Sequence, residues 1–367
     1  MKVLYLLPAL SSGGVEQVVL ELCQGMTAQG VECVVASAGG SMVELIEAAG
    51  ARHIGLPIEK KGPKLLPAVF MLARLLKREK PDILHVHSRV PGWVARFALK
   101  MLSRKARPVL VSSFHGFHSV NAYSRIMTRG EAVIAVSRSM KEHILAHYPG
   151  VPEERIHVIP NSVDTEQNYP GFAPEETWLA EWRREHPELA GQYTLCLPGR
   201  ITRIKGCAYF VPILQGLLSK GIPAHAVIVG ETKRGKEKIR RDLEEAFEAA
   251  GLTKHVTWVG HRRDLREVLA ACDVTLSLTL QPESFGKTVL EALALGRPVA
   301  GFDHGGVGEL LEQYLPEGGV RLGDIDTLVN RLADWWHQRP RLRQPVGAPY
   351  RRQDMIASHL ALYQALT

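Results

Sequence analysis

Two successive sets of short, predominantly apolar runs, each run followed by a helical pattern, constrain this chain more than any other feature. In the first set the runs fall at 2–7, 31–36, 52–56, 82–87, 108–114, 131–136 and 156–159, with helical periodicity over 14–29, 41–49, 65–79, 92–103, 121–129 and 138–147. Runs such as VLYLL, VECVVAS and AVIAVS are largely continuous in apolar residues rather than alternating. That is the pattern of strands buried on both faces of a parallel sheet. Parallel neighbours need helical crossovers, so the alternation predicts βαβ units and a doubly wound α/β sheet. The rhythm stops over 160–192, where Pro160, Pro170, Pro174 and Pro187 stand among acidic residues. It restarts with strands at 193–198, 224–229, 255–259, 273–278 and 298–302 and helices at 207–220, 235–250, 264–271, 286–295, 306–313 and 325–338, before a last amphipathic helix at 351–366. Two domains are expected, 1–165 and 193–349, joined by a linker over 166–192. Ligands of such sheets bind outside the strand carboxyl ends, so the cleft between two such domains is the expected site.

Composition narrows the class. Hydrophobic residues make up 46% of the 367 residues and charged residues 23%, which suits a packed globular protein and excludes disorder, coiled coil and collagen. No run of about 18 apolar residues occurs, so no bilayer-spanning helix is expected. Residues 1–8 suit a buried first strand better than a signal peptide. Cys23, Cys33, Cys196, Cys207 and Cys272 are scattered with no C-x-x-C. A disulfide framework or thiolate zinc site is therefore not expected, and a reducing cytoplasm is. Residues 1–164 hold 20 Lys and Arg against 13 Asp and Glu, while 165–367 hold 25 of each, so the whole net charge of +7 lies in the first half. Those cations are dispersed among apolar helices without aromatic interleaving, which disfavours nucleic acid.

Four segments could carry chemistry. Gly13 and Gly14 open the first helix, where backbone N–H groups and the helix dipole can receive an anion, or simply make a tight turn. Arg200, Arg203 and Lys205 follow the strand 193–198, and Arg200 with Lys205 could clamp a diphosphate. Residues 230–237 nearly spell a phosphate loop, but Glu237 stands where Ser or Thr would meet a cation, so a surface loop capping the next helix is the better assignment. In PESFGKTVLEALALGRPV, residues 282–299, Glu283 precedes a helix start at Ser284, Phe285 and Gly286, and Glu291 lies within an apolar helical run. A carboxylate there needs partners. A ribose diol would supply two hydroxyls, and a structural hydrogen bond is the plainer alternative. His85 and His87 share one strand face, and His115 and His118 end the next strand. Packing suits the first pair, and His115 is the candidate for a single positioned donor.

These residues together resemble glycosyltransferase family 4, the retaining glycosyltransferases of the two-domain GT-B fold. The resemblance runs through GGVE (13–16), PDILHVHS (81–88), SFHG (113–116), AVS (135–137), IPNSVD (159–164), GRITRIKG (199–206), VIVGE (227–231) and the E-x7-E of Glu283 and Glu291. It implies two Rossmann-like domains facing each other across a cleft, with the final helix, about 351–366, returning to the N-terminal domain. It implies that Gly13 and Gly14 approach the donor diphosphate and that Arg200 and Lys205 neutralise it as it leaves. Glu291 would hold the ribose, and Glu283 with Ser284, Phe285 and Gly286 the donor sugar. His115 would stand near donor sugar and acceptor, while Asn161 and Asp164 organise the hinge. Ser162 stands where the family usually has Gly, so the turn there can differ.

The implied reaction moves a sugar from a nucleotide-diphosphate donor to an acceptor hydroxyl with retention, in lipopolysaccharide core, cell-surface polysaccharide or glycolipid synthesis. A non-catalytic sugar-nucleotide-binding subunit, or a hexosamine-nucleotide 2-epimerase, would share the architecture. No cofactor is expected, and metal independence is expected on the premise that the chain has no D-x-D triplet to hold a diphosphate-bound cation. Lys60, Lys61 and Lys64, the apolar helix after them, and Lys77, Arg78 and Lys80 suggest a basic rim. Such a rim would hold the protein on the anionic cytoplasmic face of the inner membrane.

Overall fold

The computed structural model describes residues 1–11, 13–58, 65–233 and 235–367. The chain forms two compact units, Met1–Ser162 with Ala348–Thr367, and Val163–Gly347.

Unit 1 runs β1 (Lys2–Leu6), α1 (Gly14–Ala28), β2 (Glu32–Ser37), α2 (Val43–Ala48), β3 (Arg52–Gly55), α3 (Leu66–Glu79), β4 (Ile83–Val86), α4 (Arg89–Lys100), β5 (Val109–Phe114), β6 (Ala132–Ala135), α5 (Arg138–His147) and β7 (Ile156–Val158). The sheet order is β3-β2-β1-β4-β5-β6-β7, and the pairs are parallel. Alternation along β1 splits the interior: Leu4 and Leu6 join one core with α3, α4 and α5, while Val3 and Tyr5 join another with α1. Helix α4 starts three residues before the expected position 92, because extended Ser88 ends the preceding loop and Pro91 is tolerated in a first turn. The expected helix at 121–129 is instead a short 3-10 turn, Ser124–Thr128. Asn121 Oδ1 accepts the Ser124 N–H at 2.9 Å, and Ser112 donates its hydroxyl to the Met127 carbonyl at 2.5 Å. The first bond caps the turn, and the second takes the Met127 carbonyl that a continuing helix would have paired.

Unit 2 runs α6 (Glu176–Glu185), β8 (Tyr193–Pro198), α7 (Phe210–Ser219), β9 (Ala224–Val229), α8 (Lys238–Ala249), β10 (Val256–Gly260), α9 (Leu265–Ala271), β11 (Val274–Ser277), α10 (Lys287–Ala294), β12 (Val299–Phe302), α11 (Gly305–Tyr314), β13 (Gly319–Val320) and α12 (Ile325–His337). Its sheet order is β10-β9-β8-β11-β12-β13. Residues 166–192, expected as a linker, contain α6 and lie within unit 2. There the Trp178 and Trp182 rings stack 5.2 Å apart, and Trp178 Nε1–H donates to Asp264 at 2.7 Å. Helix α8 begins at Lys238 rather than 235, because Glu237 turns its carboxylate back to accept the Gly235 N–H at 2.8 Å.

The last helix, α13 (Arg352–Leu366), belongs to unit 1. Met355, Ile356, Leu362 and Tyr363 complete the core that α1 shares. Gly25 of α1 makes room for Ile356: a methyl group added at Gly25 would strike its side chain.

Candidate active site

In unit 2 the chain leaves β8 toward β9 on one side and later places β11 on the other. The segments leaving the carboxyl ends of β8 and β11 therefore diverge at a topological switch point, where open α/β sheets take ligands. Backbone bonds tie the two segments together. Leu280 N–H donates to the Ile204 carbonyl at 2.7 Å, and the first segment is fixed below by Gly199 N–H to the Val229 carbonyl at 2.8 Å. Gly206 sits at φ +69°, and a side chain there would collide with the Leu278 carbonyl. Glycine is thus required where the two segments cross.

Across this crossing the Lys205 ammonium ion-pairs with the Glu283 carboxylate. Their side chains are 31% and 21% exposed, so the pair is partly solvated. A pair of this kind contributes about 1 kcal/mol or less and can exchange partners cheaply. The Glu283 backbone is held separately: its carbonyl accepts the Gly306 N–H at 2.8 Å, and Gly305 at φ +61° lets α11 begin against it. Arg200 is exposed, and no carboxylate among the described residues pairs with it. Helix α10 starts at Gly286 without a side-chain cap, next to Ser284 and buried Phe285. Glu291 is half-buried on α10, between buried Leu290 and Ala292.

Unit 1 has the same switch-point logic between β1 and β4. Gly13 precedes α1 and no side chain caps it from behind, but the Glu16 carboxylate folds back over Gly13, where an added Cβ would strike it. This carboxylate complements the helix dipole and competes with any incoming anion. An added Cβ at Gly14 would meet nothing within 4 Å. At the ends of β4 and β5, His87 Nδ1 lies 2.9 Å from His115 Nε2, with the rings stacked. His87 is buried and its Nε2 has no hydrogen-bond partner among the described residues. A buried N–H without an acceptor is far rarer than a bare lone pair. The proton of His87 therefore belongs on Nδ1, donated to His115, which places the proton of His115 on its own Nδ1. Burial first, then His359 and His118, push the His115 pKa down to about 3, so this imidazole is neutral at pH 7. His85 bridges Tyr363 and Ser113, both at 2.7 Å. His118 is also held low, at about 4, chiefly by burial.

The structure thus brings Lys205 and Glu283 together and sets His115 on a buried histidine partner. It places Arg200 and Glu291 near that crossing only through their positions on the same segment and helix. Glu16 stands within GGVE without a role of its own, and Gly305, Gly306 and Tyr363 lie outside the motifs; Gly305-Gly306 just after strand β12 is the one visible signal among them. Ser162, the departure from the family's Gly, donates its hydroxyl to buried Glu21 at 3.0 Å. Contrary to expectation, the chain does hold a D-x-D triplet. Asp324-Ile325-Asp326 is such a triplet, and Asp324 Oδ1 accepts the Thr327 N–H at 3.0 Å as the cap of α12. Among the described residues no group of three or more His, Cys, Asp or Glu is arranged to hold a metal ion.

Comparison with known proteins agrees in both units. The family described as Glycosyltransferase Family 4 matches residues 12–167, and Glycosyl transferases group 1 matches residues 192–338. The lipopolysaccharide core biosynthesis mannosyltransferase LpsB of Rhizobium meliloti is 28% identical over 302 residues, 79% of this chain and 82% of that protein. The alpha-maltose-1-phosphate synthase of Mycolicibacterium smegmatis is 29% identical over 218 residues, only 56% of this chain and 52% of that protein. Among solved structures, Anabaena Alr3699/HepE in complex with UDP and glucose superposes with a TM-score of 0.82 at 19% identity, covering 100% of both chains. Two parallel-sheet units of seven and six strands, each matched by its own half of one enzyme family, leave a single assignment: the chain belongs to the family 4, group 1 glycosyltransferases and has the GT-B fold.

Proposed function

We propose that this glycosyltransferase takes its sugar from a nucleoside-diphosphate donor bound by unit 2 and transfers it with retention. The observation that carries this is the Lys205–Glu283 pair at the switch-point crossing. An incoming diphosphate competes with Glu283 for Lys205, and Arg200 adds a second cation. The displaced Glu283 carboxylate is then available to accept from donor-sugar hydroxyls, with backbone N–H groups of residues 284–286 beside it. Glu291 serves the ribose hydroxyls.

The bond that breaks joins the anomeric carbon to the β-phosphate oxygen, and its electron pair stays on that oxygen. Fixed cations stabilise this developing charge. The acceptor hydroxyl attacks from the same face, and its proton passes to the departing phosphate oxygen. His115, neutral and oriented by His87, serves as a hydrogen-bond donor toward the acceptor. No metal is required in this scheme.

For the acceptor we favour a lipid-linked or lipopolysaccharide-type glycan, in keeping with the name of the Rhizobium relative. Attachment to an anionic inner-membrane surface is part of the same proposal. Leu66, Phe70 and Met71 of α3 and Phe97 of α4 are exposed, with Lys77, Arg78 and Lys100 on the same helices. Lys60, Lys61 and Lys64 lie outside the described residues. Among the described residues no helix is long and apolar enough to cross a membrane.

The test is a panel of UDP-, GDP- and ADP-sugars read by thermal shift, since a ligand of the native state raises the melting temperature. Transfer assays with chelator present follow, with the product anomer assigned by proton magnetic resonance. The expected result is one stabilising donor class and a retained anomer. An inverted product, or strict dependence on added Mn²⁺, would contradict the mechanism.

A further inference from the structure

A cavity of about 610 Å³ opens in unit 1, lined by none of the residues discussed above as donor or catalytic groups. Its size is that of a small-ligand site. Its walls include Trp93 and Arg96 of α4, Arg125 and Arg129 of the 3-10 turn region, and His147 and Tyr148 at the end of α5. The aromatic wall is fixed in place. Trp93 donates its Nε1–H to the Tyr123 carbonyl at 3.0 Å and stacks on the Tyr123 ring, while the Arg89 guanidinium lies 5.5 Å from that ring's centroid. Among the described residues no carboxylate lines the cavity, and Arg96, Arg125 and Arg129 form no ion pair. Three guanidinium groups sharing one concavity repel each other, and an anion entering it removes that repulsion. Guanidinium forks match phosphate oxygens in pairs, and an indole face suits the sugar or apolar group attached to them.

We propose that this cavity binds a phosphate group, and that the phosphate is carried by the acceptor. Five residue steps separate His115 from Val120 at the cavity's edge, a reach of at most about 18 Å. An acceptor held by its phosphate at the arginines could therefore present a sugar hydroxyl near His115. The anion site stands on the geometry alone; its assignment to the acceptor rests on the transferase mechanism proposed above.

The test uses the full chain and titration calorimetry with n-octyl phosphate, with n-octyl glucoside as the neutral counterpart. Octyl phosphate should bind saturably and octyl glucoside should not. The double variant Arg125→Gln/Arg129→Gln should weaken octyl phosphate binding at least tenfold. Both arginines are exposed and form no ion pair among the described residues, so the variant should melt with the parent. Competition by inorganic phosphate would identify a soluble phosphate as sufficient. Cosedimentation with phosphatidylcholine vesicles containing phosphatidic acid, lost in the variant and not competed by inorganic phosphate, would identify a lipid headgroup as the source. In transfer assays the variant should raise KM for a phosphorylated acceptor at least tenfold and leave the donor KM within twofold. Absence of saturable octyl phosphate binding, equal binding of octyl glucoside, or unchanged affinity in the variant would overturn the site. An acceptor KM unchanged in the variant would overturn the acceptor assignment. UDP binding, measured on the same samples, reports the donor mechanism separately.

Discussion

The two units share a strand plan but prepare their switch points in opposite ways. Unit 1 lines the ends of β4 and β5 with uncharged, buried rings: His85, His87 and His359 are buried, and desolvation holds each in its neutral form. Unit 2 crosses two loops over a glycine and leaves a partly solvated ion pair on top. In unit 1 the chemical state is set by burial and is hard to change without unfolding. In unit 2 the charges are free to exchange partners while the backbone beneath them is not. A donor whose charge grows during the reaction suits the second arrangement, and a hydroxyl acceptor suits the first.

The largest effect should come from the backbone of unit 2. Gly206→Ala combines a positive φ with a collision against the Leu278 carbonyl. It should cost about 2–6 kcal/mol, the sum of backbone strain and overpacking. Urea unfolding of the variant checks this; a loss below about 1 kcal/mol would mean the crossing is loose.

Unit 1 should be the more sensitive to acid. His115 is held at about 3 and His118 and His359 at about 4, all mainly by burial. Unfolded histidines titrate near 6.5, so the unfolded chain binds more protons below that pH. Stability is therefore complete above about pH 6.5 and falls as the pH drops, by up to about 1.4 kcal/mol per pH unit for each such histidine. Glu79, pulled down to about 2 first by its bond to Arg52, matters only below its ordinary 4.5. The window from pH 6.5 to 5 thus isolates the histidines. His225 of unit 2, also near 4 through burial, adds to the same slope. A melting temperature constant from pH 7 to 5 would contradict the neutral-histidine account.

Ser162→Ala should remove one donor from the buried Glu21 carboxylate and cost about 1–3 kcal/mol. Equilibrium unfolding reads it, and no loss would mean that Glu21 is satisfied by other partners. The smallest stability change is expected at Gly14. Ala there meets nothing within 4 Å and should stabilise α1 by up to about 1 kcal/mol. If the diphosphate does approach Gly14, the same change raises the donor KM, whereas an unaltered KM would remove Gly14 from the donor site.

The fold was largely legible because continuous apolar runs mark parallel strands wherever they are four residues or longer. Strand β13, only Gly319–Val320, carries no pattern to detect. Helix α6 was hidden by the prolines around it, since its stability comes from the Trp178–Trp182 stack and the bond to Asp264 rather than from a long apolar face. At the candidate site, Lys205 and Glu283 each stood out beside its strand. Their pairing did not, because 78 residues separate them and only the β8–β11 adjacency brings them together. The support of His85 by Tyr363, across 278 residues, lay further still from any local signal. The carboxylate of Glu16 over Gly13 is a side-chain rotamer, which no pattern of residue types encodes.

The central claim is that the crossing of unit 2 binds a nucleoside diphosphate. Its most direct measurement is a calorimetric titration of the best nucleoside diphosphate into the parent protein, Lys205→Ala and Glu291→Ala. Each substitution should weaken binding by about 1.5–3 kcal/mol, the loss of one charged hydrogen-bond partner, with the melting temperature of the unliganded protein nearly unchanged. Parent and both variants binding the nucleotide with equal affinity would contradict the claim.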